Sequence, residues 1–240
     1  MTTMNNPTSH RSGGAKSTAR RVRSFVRRHG RITPAQTRAL AVHWDRFGVE
    51  LPQAGNLGAL FQQQAPLTLE IGFGTGDALL GAATVTPAAN FLGVEVYDAG
   101  VGQLLLRAAA TDLSNLRVFR ADAVDVLEAL APRSLARIWI FFPDPWPKKR
   151  HHKRRLIQPP FARLLESRLS SSGVLELATD WEAYAMHMIG ILDATPGLTN
   201  ECGDGHFAKR PGHRRITRFE QRGRRLGHDV FDLKYVQRTS

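Results

Sequence analysis

From Leu67 to Asp193, short apolar runs alternate with longer stretches whose apolar residues recur at helical spacing. The runs predict strands near 67–71, 91–95, 116–120, 137–142 and 174–178, and the periodic stretches predict helices near 76–86, 99–111, 124–130, 159–171 and 181–194. Short connections between strand and helix are the pattern of βαβ units and hence of a parallel sheet. Arg137-Ile138-Trp139-Ile140-Phe141-Phe142 is apolar enough to lie inside such a sheet, covered on both faces. Thr179 or Asp180 is placed to cap the helix near 181. After Pro196 the alternation breaks down, and two last strands near 197–201 and 230–236 are expected to close the sheet around a loop at 203–228. The expectation is an α/β fold with a seven-stranded, mostly parallel sheet and helices on both faces. No internal repeat or heptad pattern is present.

Length and composition sharpen that picture. The 240 residues, 42% of them apolar, suffice for one large α/β domain, read here as residues 46–240 behind a basic, partly disordered arm at 1–45. The chain carries 33 Lys and Arg against 21 Asp and Glu, a formal charge of +12, which points to a polyanionic partner, with nucleic acid ahead of an anionic membrane surface. The charge is clustered. Nine basic side chains precede the first acid, Asp45; six of the eight residues from Lys148 to Arg155 are Lys or Arg; and Lys209 to Arg225 holds eight bases against Glu220. Cys202 stands alone, and neither a signal peptide nor a long apolar span appears, so a cytoplasmic protein is expected. The histidines show no metal-like spacing with Cys202, and no metal site is expected.

The first strand runs into Glu70-Ile71-Gly72-Phe73-Gly74-Thr75-Gly76. Its glycine spacing differs from that of dinucleotide sites, and Glu70 and Asp77 flank the turn where a pyrophosphate would otherwise rest. A nucleoside without phosphates and with positive charge suits that turn better, and S-adenosylmethionine is such a ligand. Glu95, at the end of the second strand, stands where nucleotide folds place an acid for the ribose hydroxyls, and Asp122, after the third, stands toward the adenine amino group. Each acid taken alone is equally at home as a cap or a surface group.

After the fourth strand the chain reads Phe142-Pro143-Asp144-Pro145-Trp146-Pro147-Lys148 and then the basic run. The two prolines restrict the backbone around Asp144. The acid is thereby held outside the carboxyl end of a strand, where open α/β sheets bind ligands. Trp146 is either a base-stacking ring or a core indole. Asp180 also follows a strand end, as a cap, a substrate contact or both. Glu220 is either an ion-pair partner of Arg218 or Arg224 or a contact for base protons.

These motifs resemble the bacterial tRNA (guanine-N7-)-methyltransferase family: LEIGFGTG at 69–76, FLGVE at 91–95, PDPWPKKRHHKRR at 143–155, ATDW at 178–181 and TRFEQRG at 217–223. The resemblance runs from about residue 66 to the end and matches residues 1–45 only loosely; Lys149 is an added charge. It implies a Rossmann-like, class I S-adenosylmethionine-dependent fold and methyl transfer to N7 of guanine 46 in the variable loop of tRNA. It further implies Asp144 as the catalytic residue; Glu70, Gly72, Gly74, Gly76, Glu95, Asp122 and Asp144 at the cofactor; Lys148, Asp180, Thr217, Arg218, Phe219 and Glu220 at the substrate; and Arg150, His151, His152, Lys153, Arg154 and Arg155 on RNA. tRNA is the expected partner of a monomer that binds no membrane. The rival readings are an exocyclic-amine methyltransferase of nucleic acid, whose comparable segment usually reads Asp or Asn, Pro, Pro and then Tyr or Phe, and an RNA-binding module with a dead cofactor pocket.

Overall fold

In a computed structural model the chain is described over residues 24–25, 31–214, 220 and 229–238. Thr217, Arg218 and Phe219, most of the arm and most of the last basic loop lie outside the described residues. The strands are β1 (Gly48–Val49), β2 (Leu67–Ile71), β3 (Asn90–Val94), β4 (Leu116–Phe119), β5 (Leu135–Phe141), β6 (Leu169–Thr179), β7 (Leu198–Asn200) and β8 (Phe231–Gln237). The helices are α1 (Pro34–Phe47), α2 (Asp77–Val85), α3 (Asp98–Ala108), α4 (Ala123–Ala129), α5 (Pro159–Arg168) and α6 (Glu182–Asp193). The described strands form one sheet in the order β1-β4-β3-β2-β5-β6-β8-β7. Seven were expected, and the eighth is the two-residue β1, parallel to β4 at its edge.

Strand β5 shows why the sheet is interior. Ile138 and Ile140 join an apolar cluster with Leu69, Leu92 and Leu175, while Trp139 joins Phe91, Leu79 and Val118 in a second cluster. Alternate side chains enter different cores because successive Cβ atoms point to opposite faces. The chain winds from β2 outward through β3 to β4, then returns to place β5 on the other side of β2. A crevice opens at such a reversal, outside the carboxyl ends of the strands.

Several elements depart from the sequence reading, among them α3, which ends at Ala108 and not near 111, and β6, which begins at Leu169 and not near 174. Helix α1 arises inside the segment read as an arm, and its first turn is closed by a capping box: Thr33 Oγ1 accepts from the Gln36 amide at 3.3 Å and Gln36 Oε1 accepts from the Thr33 amide at 2.9 Å. Helix α5 stops at Arg168, three residues short of the expected end, because Leu169 already pairs with Leu135 as β6 begins. At the far side β8 runs antiparallel to β6, with Phe231 beside Thr179 and Val236 beside Val174. The loop that precedes β8 therefore returns to the same edge as the loops after β5 and β6.

Candidate active site

The crevice holds a cavity of about 370 Å³ at the carboxyl ends of β2, β3, β4 and β5, walled by Gly72, Gly74, Glu95, Asp122, Asp144 and the segment Ser24–Phe25, among others. Of the four acids expected at the cofactor, Glu95, Asp122 and Asp144 follow the ends of β3, β4 and β5 and face this cavity. Glu70 does not line it. It lies buried on β2 behind the glycine turn, with Oε2 lacking a hydrogen-bond partner.

Gly72 and Gly74 adopt φ of +72° and +56°, and a Cβ on either would meet no protein atom within 4 Å. Both line the cavity. The turn is thus a cradle that side chains would fill, built from backbone conformations that glycine adopts without strain. A ligand as large as a nucleoside can approach the backbone there, so the residues present fit S-adenosylmethionine. Among the described residues, no group of three His, Cys, Asp or Glu side chains converges in a way that could hold a metal ion.

Glu95 organises the cradle. Its Oε2 accepts from the Gly74 amide at 2.9 Å, and its Oε1 accepts from the Val96 and Tyr97 amides at 2.7 and 3.1 Å. Burial pushes the Glu95 carboxyl upward, these N–H groups pull it down, and the Asp144 charge raises it again. A carboxylate has about four acceptor sites, so three backbone donors leave roughly one for a ligand. Asp122 caps α4 by accepting from the Val124 amide at 3.0 Å, which fixes its side chain at the cavity wall. Burial, reinforced by the Glu95 and Asp77 charges against one N–H bond from Leu79, pushes the Glu70 carboxyl up to about 8.

Asp144 sits exposed between two residues in left-handed conformation, Phe142 at φ +54° and Trp146 at φ +45°. Non-glycine residues hold such angles only where their surroundings impose them, and such positions concentrate at functional sites. The restraints are visible. The Phe142 amide donates to Ala178 at 2.7 Å, Trp146 Nε1 donates to the Ser24 carbonyl at 3.0 Å, and the Arg154 guanidinium covers the indole at 5.2 Å. The ring that the sequence offered for base stacking already carries a cation and an arm contact.

Lys148 is exposed at the start of a 3-10 turn, Lys149–Arg154, which displays Arg150 and Lys153 outward, with His151, His152 and Arg154 half-buried. Arg155 differs from these neighbours: only 3% exposed, it turns into the protein. Asp180 is exposed beyond β6, and neither it nor Thr179 caps α6 as the sequence suggested: the N-cap is Trp181, without a side-chain cap bond, and Thr179 Oγ1 accepts from the Trp181 amide at 3.3 Å ahead of the helix. Glu220 is buried, accepting from Arg214 Nη1 at 2.6 Å, while Arg214 also grips Asp232 through Nε and Nη2 at 2.8 and 2.9 Å. Among the described residues Glu220 pairs with Arg214, while Arg218 and Arg224, the two arginines that its sequence neighbourhood suggested, lie outside them. Ser24 and Phe25, which no motif distinguished, also belong to the cavity wall.

Residues 64–233 match a family model described as a putative methyltransferase. The chain is 52% identical over 217 residues to a tRNA (guanine-N(7)-)-methyltransferase of Methylococcus capsulatus, covering 90% of this chain and 94% of that protein. It is 53% identical over 219 residues to the protein of the same name from Leifsonia xyli subsp. xyli, covering 90% and 95%. Among solved structures, the 16S rRNA methyltransferase KamB superposes with a TM-score of 0.54 at 15% identity, covering 76% of this chain and 92% of that one, a likeness of fold.

Proposed function

The chain belongs to the tRNA (guanine-N7-)-methyltransferase family, and we propose that it methylates N7 of guanine 46 in the variable loop of tRNA. It is an enzyme that uses S-adenosylmethionine, which supplies a methyl group on a positively charged sulfur. The observation that carries the site assignment is the cavity joining the glycine cradle and Glu95 to Asp144.

Guanine N7 has a lone pair and no proton, so the protein needs no strong base. Its task is to align the nucleophile and to oppose the positive charge that passes to the purine. Asp144 does both in this reading: its carboxylate accepts protons from the guanine edge or from the cofactor ammonium, and its charge stabilises the cationic product. Glu95 uses its remaining acceptor site on the ribose, Asp122 faces the adenine amino group, and Gly72 and Gly74 let the backbone close on the ligand; Gly76, expected there too, does not line the cavity, and a Cβ on it would meet Leu104 Cδ1 at 2.5 Å. Lys148 and Asp180, both exposed, are the substrate contacts in this reading, a role it extends to the Thr217–Glu220 segment. Arg150, His151, His152, Lys153 and Arg154 take phosphates, which positions the RNA without reading its bases. A single chain in the cytoplasm carries every residue this reading uses. The test is to incubate the protein with tRNA and labelled cofactor and to digest the product to nucleosides. Label in 7-methylguanosine, abolished when guanine 46 is replaced by adenine, is the expected result; label in an N-methylated amine, or none, overturns the reading.

A further inference from the structure

The geometry points to Arg155 as a positioning residue that braces the Asp144 loop against the start of α6, and not as a phosphate contact. Its guanidinium is enclosed and spoken for. Nε donates to the Pro145 carbonyl at 3.0 Å, Nη1 to the Ala183 carbonyl at 3.4 Å and Nη2 to Nε2 of His152 at 3.2 Å, while the plane lies 5.0 Å from the Tyr184 ring centroid. Tyr184 is itself buried and accepts from the Ile157 amide at 3.2 Å, so the platform under the guanidinium is fixed.

Pro145 adjoins Asp144, and Ala183 lies three residues beyond Asp180. One planar cation therefore joins the loop of Asp144 to the first turn of α6, just beyond Asp180. The loop it holds is the one with left-handed Phe142 and Trp146, a conformation costing about 1–3 kcal/mol at each such residue unless the surroundings over-determine it. Proline cannot donate a backbone hydrogen bond, so restraint of Pro145 falls on its carbonyl. Arg155 supplies that restraint from five residues beyond the exposed Arg150. Lysine, with a single point charge, cannot span two carbonyls in the same plane.

The inference rests on the methyl-transfer reading for its kinetic arm only. Arg155→Lys is compared with the parent and with Arg154→Ala. In single turnover at saturating tRNA and cofactor, Arg155→Lys is expected to slow methyl transfer on the order of 30-fold, since small displacements of aligning groups carry such penalties. Its slope of log tRNA affinity against log salt stays at the parent value, whereas Arg154→Ala flattens that slope by about 0.7–0.9. Deuterium uptake at the Phe142, Asp144 and Trp146 amides rises in Arg155→Lys whether or not the protein methylates tRNA, so failure of the brace and failure of the reading are distinguishable. Arg155→Ala with added methylguanidinium gives an independent arm, in which recovery of rate without a change in tRNA affinity is expected. A flattened salt slope in Arg155→Lys with unchanged exchange and a saturated rate within about threefold of the parent overturns the brace, as does guanidinium rescue of affinity alone.

Discussion

The indole of Trp146 donates to the carbonyl of Ser24 at 3.0 Å, across 122 residues of sequence, and so attaches the segment Ser24–Phe25 to the loop that carries Asp144. Both ends of this bond belong to elements that wall the same cavity. Ser24 and Phe25 are in this way held in the wall of that cavity.

Trp146→Phe keeps an aromatic ring under Arg154 and removes only the donor. A neutral hydrogen bond contributes about 0.5–1.5 kcal/mol, so cofactor affinity measured by calorimetry is expected to fall about three- to tenfold, through faster dissociation. An unchanged dissociation rate would show that the segment does not wall the cavity in solution.

Glu95→Ala removes the acceptor for three backbone amides as well as the proposed ribose contact. Cofactor affinity is expected to drop at least about tenfold, and unfolding in urea is expected to lose about 1–3 kcal/mol from the orphaned donors. tRNA affinity stays near the parent value. A variant that loses cofactor affinity with full stability would mean that the cradle holds its shape without Glu95.

Asp144→Asn keeps the side-chain shape and removes its charge. Single-turnover methyl transfer is expected to slow about 100-fold, the scale of losing one preorganised electrostatic group. Since Asp144 is exposed and its loop is held by other groups, the melting temperature is expected to stay within a few degrees. A rate within threefold of the parent assigns Asp144 a purely structural part.

Glu70 gives the stability curve a pH signature. Its folded pKa of about 8 lies above its ordinary value of 4.5, so between those values the native state holds a proton that the unfolded chain releases. The contribution is fully present below pH 4.5, declines as pH rises through the window at up to about 1.4 kcal/mol per unit, and is gone above 8. Glu70→Gln is expected to remove this component of the decline. Identical pH profiles for the two proteins in denaturant titrations would disprove the protonated Glu70.

Arg214 makes three charge-assisted hydrogen bonds to Glu220 and Asp232, and all three side chains are nearly inaccessible. Removing one member of such a buried set leaves an uncompensated charge, and Arg214→Met is expected to cost about 3–5 kcal/mol in urea unfolding. Arg214→Met with Asp232→Leu and Glu220→Gln together is expected to recover much of it. Methyl transfer in the triple variant then reports whether Glu220 acts on the substrate or only anchors its segment.

The strands at 91–95 and 137–142 were legible because Phe91-Leu92-Gly93-Val94 and Ile138-Trp139-Ile140-Phe141-Phe142 are runs without polar alternation, the mark of strands covered on both faces, whereas Leu67-Thr68-Leu69-Glu70-Ile71 alternates although β2 is buried throughout. The positions of Glu95, Asp122 and Asp144 followed from strand ends alone, since ligands collect there. Helix α1 was legible in principle, from Thr33-Pro34-Ala35-Gln36, but its capping box stood inside a run read for charge. The two-residue β1 is too short for any periodicity. Arg155 and the pairing of Glu220 with Arg214 were not legible: nothing in a run of six bases says which one turns inward, because Tyr184 and Ala183, which receive it, lie 28 and more residues away.

The reversed direction of β8 has a practical side. Gln237, at its end, pairs with Leu198, and Val236 pairs with Val174, so the strand leaves the sheet at the margin remote from Asp144 and Asp180. A fluorophore or surface tether attached just past Gln237 would stand a full strand length from the loops that carry Asp144 and Asp180, which makes that position the natural handle for immobilising the enzyme while leaving the proposed RNA face open.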